Sequence, residues 1–134
     1  MADLSPTDWK LEGSERMTDK QRKMLNAVCG DLSAGLTWHG NRLSKDDWRH
    51  MLSGTMLGWR MMPAIDRGEG AAGFIMLGGS SLSLSKSQAA DAITVALNIG
   101  DHPEDQGLRA KPVQWSDTVL RGLGFNPADM REAA

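Results

Sequence analysis

Three amphipathic helix starts constrain the fold of this chain more than any other feature. Each pairs a Ser or Thr with a Gln or Asp three residues later, and apolar side chains then recur every three or four residues. Because the two side chains of such a pair satisfy free amides of the first turn, the pattern predicts three capped helices. The pairs are Thr18 with Gln21, Ser44 with Asp47, and Ser85 with Gln88.

Helices are expected to dominate the chain. We predict them over residues 18–34, from Ser44 to about residue 57, and from Ser85 to Gly100, with a small apolar face on the last. A fourth should begin at Trp115-Ser116-Asp117, after a polar loop over residues 101–111. Cys29, the single cysteine, falls on an apolar helix face and is expected in the core.

Strand patterns are few and short. Met61, Met62 and Ile65 could form a strand broken by Pro63, and 74–77 is interpreted as a compact buried strand. The stretch 37–43 should be a tight hairpin turning at Gly40-Asn41. The sequence therefore predicts an α+β fold, a mostly helical single domain with a small antiparallel sheet.

The chain length of 134 residues suits one domain. We expect a flexible N-terminal arm over residues 1–16 that docks through Trp9, a folded domain over 17–125 and a C-terminal tail over 126–134. No apolar run approaches the ~20 residues needed to cross a bilayer, and no signal peptide pattern is present. We therefore expect a soluble cytoplasmic protein with no membrane association.

Charge is distributed unevenly. The net charge is −2, which argues against indiscriminate binding of polyanions. Between Arg16 and Arg60, however, eight Lys or Arg face four Asp or Glu, whereas residues 91–134 hold four against seven. Any contact with nucleic acid is therefore expected in the first half of the chain.

A basic helix start and an aromatic turn are the candidate contacts. Lys20, Arg22 and Lys23 could bind phosphates, and Trp38-His39 could stack a base beside a titratable ring. The alternatives are a solvated helix face and a core tryptophan beside a hydrogen-bonded turn histidine. Both pairs of interpretations stay open from these residues alone.

Metal and phosphate-loop motifs are weak. Three histidines are dispersed, and the adjacent pair Asp46-Asp47 is explained by its position at a helix start, so we expect no metal site and no cofactor. Gly78-Gly79-Ser80-Ser81 lacks the lysine and spacing of a P-loop and is expected to end a strand. Its serines could still bond a phosphate.

The order of the motifs resembles the NinB (Orf) family of phage recombination proteins. The matching pieces extend from Thr18 to Asp117. They are Asp19-Lys20-Gln21-Arg22-Lys23, Gly30-Asp31, Trp38-His39-Gly40, Trp48, Gly73-Phe74, Gly78 with Ser80-Ser81, the helix from Ser85 to Gly100, and Trp115-Ser116-Asp117.

The resemblance implies a NinB-like domain over residues 17–125 without catalytic activity, from a phage or prophage. It implies binding of single-stranded DNA, a homodimer around a channel, and help to a phage recombinase in displacing the host single-strand-binding protein. The residues expected to contact nucleic acid are Lys20, Gln21, Arg22, Lys23, Trp38, His39, Arg42, Arg49, Ser80 and Ser81.

This sequence departs from the family pattern at the helix start. The basic helix is preceded by a shorter segment than is usual, and Lys20 and Leu25 stand where family members present a glutamine and a tryptophan to the channel. Trp38 or Trp59 could supply the missing ring. The alternative function is a module that binds a host replication, repair or defence protein, and the third is a metal-dependent nuclease.

Overall fold

Three mutually packed helices form the centre of the fold. In the computed structural model, which describes residues 8–68, 70, 73–78 and 83–129, they are α1 (Asp19–Gly35), α2 (Lys45–Leu57) and α3 (Lys86–Asp101). Each begins at its expected capping box, in which the cap hydroxyl accepts the N3 amide and the N3 side chain accepts the cap amide. The prediction of three capped helices is confirmed.

The core lies where these helices meet. Trp48 of α2 is fully buried, Leu25 and Leu32 supply the apolar side of α1, and Ile93 lies among the alanines of α3. A short helix α4 (Asp117–Gly122) adds Val119 to the same cluster. Among the described helices, none is both long and apolar enough to traverse a bilayer.

The sheet is a single hairpin of two strands. β1 (Trp59–Pro63) pairs antiparallel with β2 (Phe74–Gly78). The prediction of a mostly helical α+β domain with a small antiparallel sheet is confirmed. The interpretation of 74–77 as a buried strand is wrong, because these four side chains are all exposed. Among the described elements, α2 meets the hairpin, where the Trp59 ring lies over Gly54.

The segment before α1 is packed against the domain. Trp9, in a 3-10 turn over Asp8–Lys10, is 6% exposed, and its indole Nε1 donates to the Gly122 carbonyl at 2.7 Å. Backbone bonds then join Glu15 to Lys86 and Met17 to Leu84 at 2.8 and 3.1 Å. Over residues 8–16 the structure thus differs from the expected flexible arm, because the segment finds partners on α3 and α4. Residues 1–7 lie outside the described residues.

The turn between α1 and α2 is a two-residue hairpin. Trp38 and Asn41 exchange backbone hydrogen bonds of 2.7 and 2.9 Å, and the residues between them have positive φ, 47° at His39 and 85° at Gly40. Positive φ at both central residues is the requirement of a type I′ turn. The turn is therefore centred one residue earlier than the expected Gly40-Asn41.

The stretch that follows α3 is partly ordered by short-range bonds. The loop expected over 101–111 contains a 3-10 turn at Pro103–Gln106. Beyond it, the Val113 amide donates a hydrogen bond to the Gly100 carbonyl at 2.8 Å. In the expected C-terminal tail, residues 127–129 form a helical turn. Residues 130–134 lie outside the described part of the chain.

Candidate nucleic-acid interface

Gln21, expected to contact DNA, is a buried structural residue. Its side-chain nitrogen donates to the carbonyls of Trp9, Leu11 and Lys86 at 2.9, 3.2 and 3.0 Å, and its side-chain oxygen accepts the Thr18 amide at 3.1 Å. The residue is 0% exposed. Because this environment occupies both the donor and the acceptor end of the amide, no group remains to reach a strand, and Gln21 leaves the candidate site. The segment that folds back over the helix start is the reason.

Leu25 also lies in the core, with 1% of its surface exposed. The position that the resemblance placed along a channel is therefore an interior one in this domain. A ring that contacts DNA has to come from elsewhere in the chain.

The cations at the start of α1 are exposed, and two of them have carboxylate partners. Lys20 Nζ lies 3.5 Å from Asp8 Oδ2, and Arg22 Nη1 lies 3.3 Å from Asp19 Oδ1. Exposed pairs of this kind are worth less than ~1 kcal/mol, so a phosphate can replace the carboxylate at little cost. Lys23 is exposed too, and makes no ion pair or hydrogen bond within the described part of the chain.

The α1–α2 seam brings further cations to this side of α1. Arg49 Nη1 donates to Asn26 Oδ1 at 2.9 Å, and the Lys45 stem passes over Gly30, 4.0 Å from where a Cβ would stand. Arg42 Nη1 donates to the carbonyls of residues 33 and 34 at 2.8 and 3.4 Å. Arg42, Lys45 and Arg49 thus contact α1 at successive positions, each about one helical turn closer to the N-terminus of α1 than the one before. The side chains therefore form a row along the helix.

Residues four apart on a helix share a face, so this row continues to the cations one turn before Asn26. We call the whole row the basic track, which consists of Arg22, Lys23, Arg49, Lys45 and Arg42. It extends over about 18 Å of α1, at a rise of ~1.5 Å per residue. Four of its members were expected from the sequence; Lys45 was missed, although its spacing from Arg42 and Arg49 was a usable signal.

Carboxylates moderate the charge of the track without burying it. Arg49 pairs with Asp46 in the first turn of α2, while Asp47 accepts the Ser44 amide at 3.1 Å and is thereby held in the cap. Beneath the track, burial raises the pKa of the Cys29 thiol to about 12, against the opposing effect of Arg49 and Lys45. Cys29 is therefore a protonated core residue, as expected.

Trp38 and His39 lie at the Arg42 end of the track. The half-buried Trp38 ring meets the buried Trp48 ring edge to face, with centroids 5.5 Å apart, and meets the exposed His39 ring at 4.7 Å in the same manner. Trp38 thus packs against the core, as the alternative interpretation of a core tryptophan expected, while part of its surface remains exposed. The structure combines the two interpretations that the sequence left open.

Ser80 and Ser81 lie outside the described residues. Within the described ranges, no group of three or more His, Cys, Asp or Glu side chains is arranged to hold a metal ion.

Comparisons with known proteins agree with the resemblance seen in the motifs. The family model described as NinB protein matches residues 5–102, so the match starts earlier than the motifs and ends before Trp115-Ser116-Asp117. A solved structure described as "Structural Genomics, NinB" has a TM-score of 0.55 at 21% identity, covering 81% of this chain and 74% of that chain. At this identity the likeness concerns the fold alone. No curated protein matches the chain.

Proposed function

The chain belongs to the NinB family of phage recombination-related proteins, and from this premise we propose that it binds single-stranded DNA along the basic track. In this role it is a non-enzymatic accessory protein, a mediator that assists recombinase loading and displacement of the host single-strand-binding protein. The family supports the recombination setting. The side chains of α1 and α2 support the contact with DNA.

The observation that carries the proposal is the linear spacing of the cations. The track advances along α1 in steps of about four residues, which is ~6 Å per step. A single strand carries a negative charge at every nucleotide, so a row of cations can follow its backbone over several phosphates. A compact cluster of the same charge would neutralise one short stretch only.

The ion pairs within the track are compatible with this use. The carboxylates of Asp19 and Asp46 are 95% and 69% exposed, so water already screens both pairs. Replacing a carboxylate by a DNA phosphate also releases counterions from the strand, which favours binding at low salt. The track can therefore exchange its internal partners for phosphates.

A ring at one end of the track gives the strand a place to stack. Trp38 is partly exposed and pairs with Asn41, the residue before Arg42, whose contacts with α1 mark the end of the row. Base stacking on an aromatic side chain contributes ~1–3 kcal/mol per base and tolerates any sequence. This arrangement supports binding without sequence preference.

Other parts of the proposal rest on the family alone. They are the homodimer around a channel, the phage recombinase and host single-strand-binding protein as partners, and action in the cytoplasm of a bacterial host. No cofactor and no chemical step belong to the proposal.

Salt-dependent titration of a labelled oligonucleotide tests the track. Replacing Arg22, Lys23 and Lys45 by alanine removes three cations and keeps good helix formers on α1 and α2. If all three contact phosphate, the slope of log affinity against log salt should fall by about two, at roughly 0.7 per contact on a single strand.

The matched control removes three exposed cations that do not belong to the track, Arg16, Arg109 and Arg121. It makes the same change in net charge and should leave the slope nearly unaltered. Absence of binding by the parent protein at low salt, or equal slopes in both variants, would reject the proposal.

Two alternative functions, a host-protein-binding module and a metal-dependent nuclease, are distinguished from DNA binding by separate experiments. A host-protein-binding module has the exposed hairpin in its favour, and affinity capture with nuclease treatment distinguishes it, because a partner bridged by DNA is then lost. A metal-dependent nuclease should degrade DNA in magnesium or manganese, and intact DNA after incubation would count against it.

A further inference from the structure

The β1–β2 hairpin exposes an unusual amount of apolar surface. Met61, Phe74 and Met76 are 65%, 69% and 51% exposed, and Ile65 just beyond β1 is 87% exposed. The hairpin meets the rest of the domain at α2, where the Trp59 ring lies over Gly54 in the space that a larger residue would fill. Nothing else among the described residues shields it.

The hairpin is apolar on both faces. Its register places Met61 opposite Met76 and Met62 opposite Ile75. Because alternate residues of a strand point to opposite sides, the first pair lies on one face and the second on the other. A surface strand normally has one polar face; here neither face is polar.

The exposed apolar area is larger than that of a typical monomer surface patch. Summed over both faces of the hairpin and Ile65, side chains of these sizes at the observed exposures amount to roughly 900 Å² per chain, with each aromatic ring supplying a large share. The largest apolar patch on a typical monomer is about 300–600 Å², whereas a stable interface buries about 800 Å² per partner. A lone two-stranded hairpin is also only marginally stable in water, and its open edges favour further pairing.

We propose that the hairpin is the dimer interface, with the hairpin of a second copy of this chain as its occupant. The inference rests on the homodimer in the proposed function and adds the surface that forms it. An apolar patch is complementary to itself, so a two-fold axis lets each hairpin cover the other. The two strands carry a single charged residue, Arg60, so they offer little to a DNA backbone or a charged peptide.

Light scattering of the parent protein and two double variants tests this proposal. Met61→Lys with Met76→Glu charges one face, and Met62→Lys with Ile75→Glu charges the other. Each pair faces across the strands, so its opposite charges preserve hairpin pairing, while burial of charge opposes association. The parent mass should be twice 14.6 kDa, and the mass should halve in the variant whose charged face is the one that the partner hairpin covers.

The control is Phe125→Lys, which charges a side chain that is 50% exposed outside the hairpin and should leave the dimer intact. Circular dichroism checks that every variant retains its helices. A parent mass of 14.6 kDa overturns both the homodimer and the hairpin interface. A dimeric parent whose folded variants stay dimeric overturns the hairpin interface alone and favours a different partner for this surface. Neither result bears on DNA binding, which the oligonucleotide titration measures separately.

Discussion

The helical core and the hairpin are both rich in apolar residues, yet only the core is buried. Trp48 on α2 is fully enclosed, whereas Trp59, two residues beyond the end of the same helix, is 47% exposed. An apolar composition indicates that a segment is stabilised when it is buried away from water. It does not indicate which part of the molecule, or which partner, covers the segment. The three helices find their partners within the chain, and the hairpin does not find one among the described residues.

The strongest test of the core side of this comparison is Gln21→Ala. It leaves the carbonyls of Trp9, Leu11 and Lys86 without their donor and breaks the cap of α1. Because buried unsatisfied groups cost ~1–3 kcal/mol each, we expect a loss of about 3–4 kcal/mol in the free energy of unfolding, measured in urea.

Gln88→Ala is the matched control for that variant. Gln88 occupies the same position in the α3 capping box, but it is half-buried, and within the described part of the chain its side chain bonds only to the Ser85 cap. Its loss should cost ~1 kcal/mol. Equal losses in the two variants would mean that Gln21 does not hold the N-terminal segment in place.

Local signals made the helices predictable. A capping pair involves residues three apart, and an apolar helix face repeats every three or four, so both can be recognised without knowledge of the tertiary structure. The same locality explains why Thr18 and Ser85 were assigned correctly as caps. It also explains why β1 and β2 were expected close to where they are found.

Non-local contacts explain what was missed. Gln21 was recognised as a cap, but its bonds to Leu11 and Lys86 depend on the path of distant segments. Lys45 joins the basic track only because α2 runs back along α1, where it passes over Gly30. Likewise, Phe74 was expected in the interior because its neighbours are apolar, although no described element lies over it.

Trp38→Ala distinguishes packing from stacking at the junction of core and track. Its ring packs against Trp48, so truncation should lower stability by about 2–3 kcal/mol, below the ~3–5 kcal/mol of a fully buried aromatic residue. If the open part of the ring also stacks a base, the folded variant should lose ~1–3 kcal/mol of binding. Thermal unfolding and oligonucleotide titration measure the two effects separately; full binding with a large stability loss would leave Trp38 a packing residue only.

Substitution of two glycines by alanine compares how rigidly the core and the hairpin are held. A Cβ at Gly100 would collide with the Trp115 ring and approach Leu32 at 3.3 Å, while one at Gly54 would collide with Trp59. We expect Gly100→Ala to cost about 1–3 kcal/mol, because a packed core relaxes poorly. Gly54→Ala should change stability by less than ~1 kcal/mol, since the exposed Trp59 ring can move and alanine favours the helix. Equal costs by urea unfolding would mean that the hairpin is held as firmly as the core.

The smallest expected effect is the change in salt slope on replacing one lysine. It compares Lys45, which only the structure places on the basic track, with Lys20, which the sequence alone predicted to contact DNA. Lys45 lies on the basic track, whereas Lys20 Nζ is directed to Asp8, off the row defined by Arg42, Lys45 and Arg49. Lys45→Ala should therefore lower the salt slope of single-strand binding by about 0.7, the value of one phosphate contact, and Lys20→Ala should leave it unchanged. Both replacements remove one exposed cation from the first turn of a helix, so each controls for the other in net charge and helix propensity. The reverse result would move the strand from the α1–α2 seam to the N-terminal end of α1, and the basic track would then be a solvated surface.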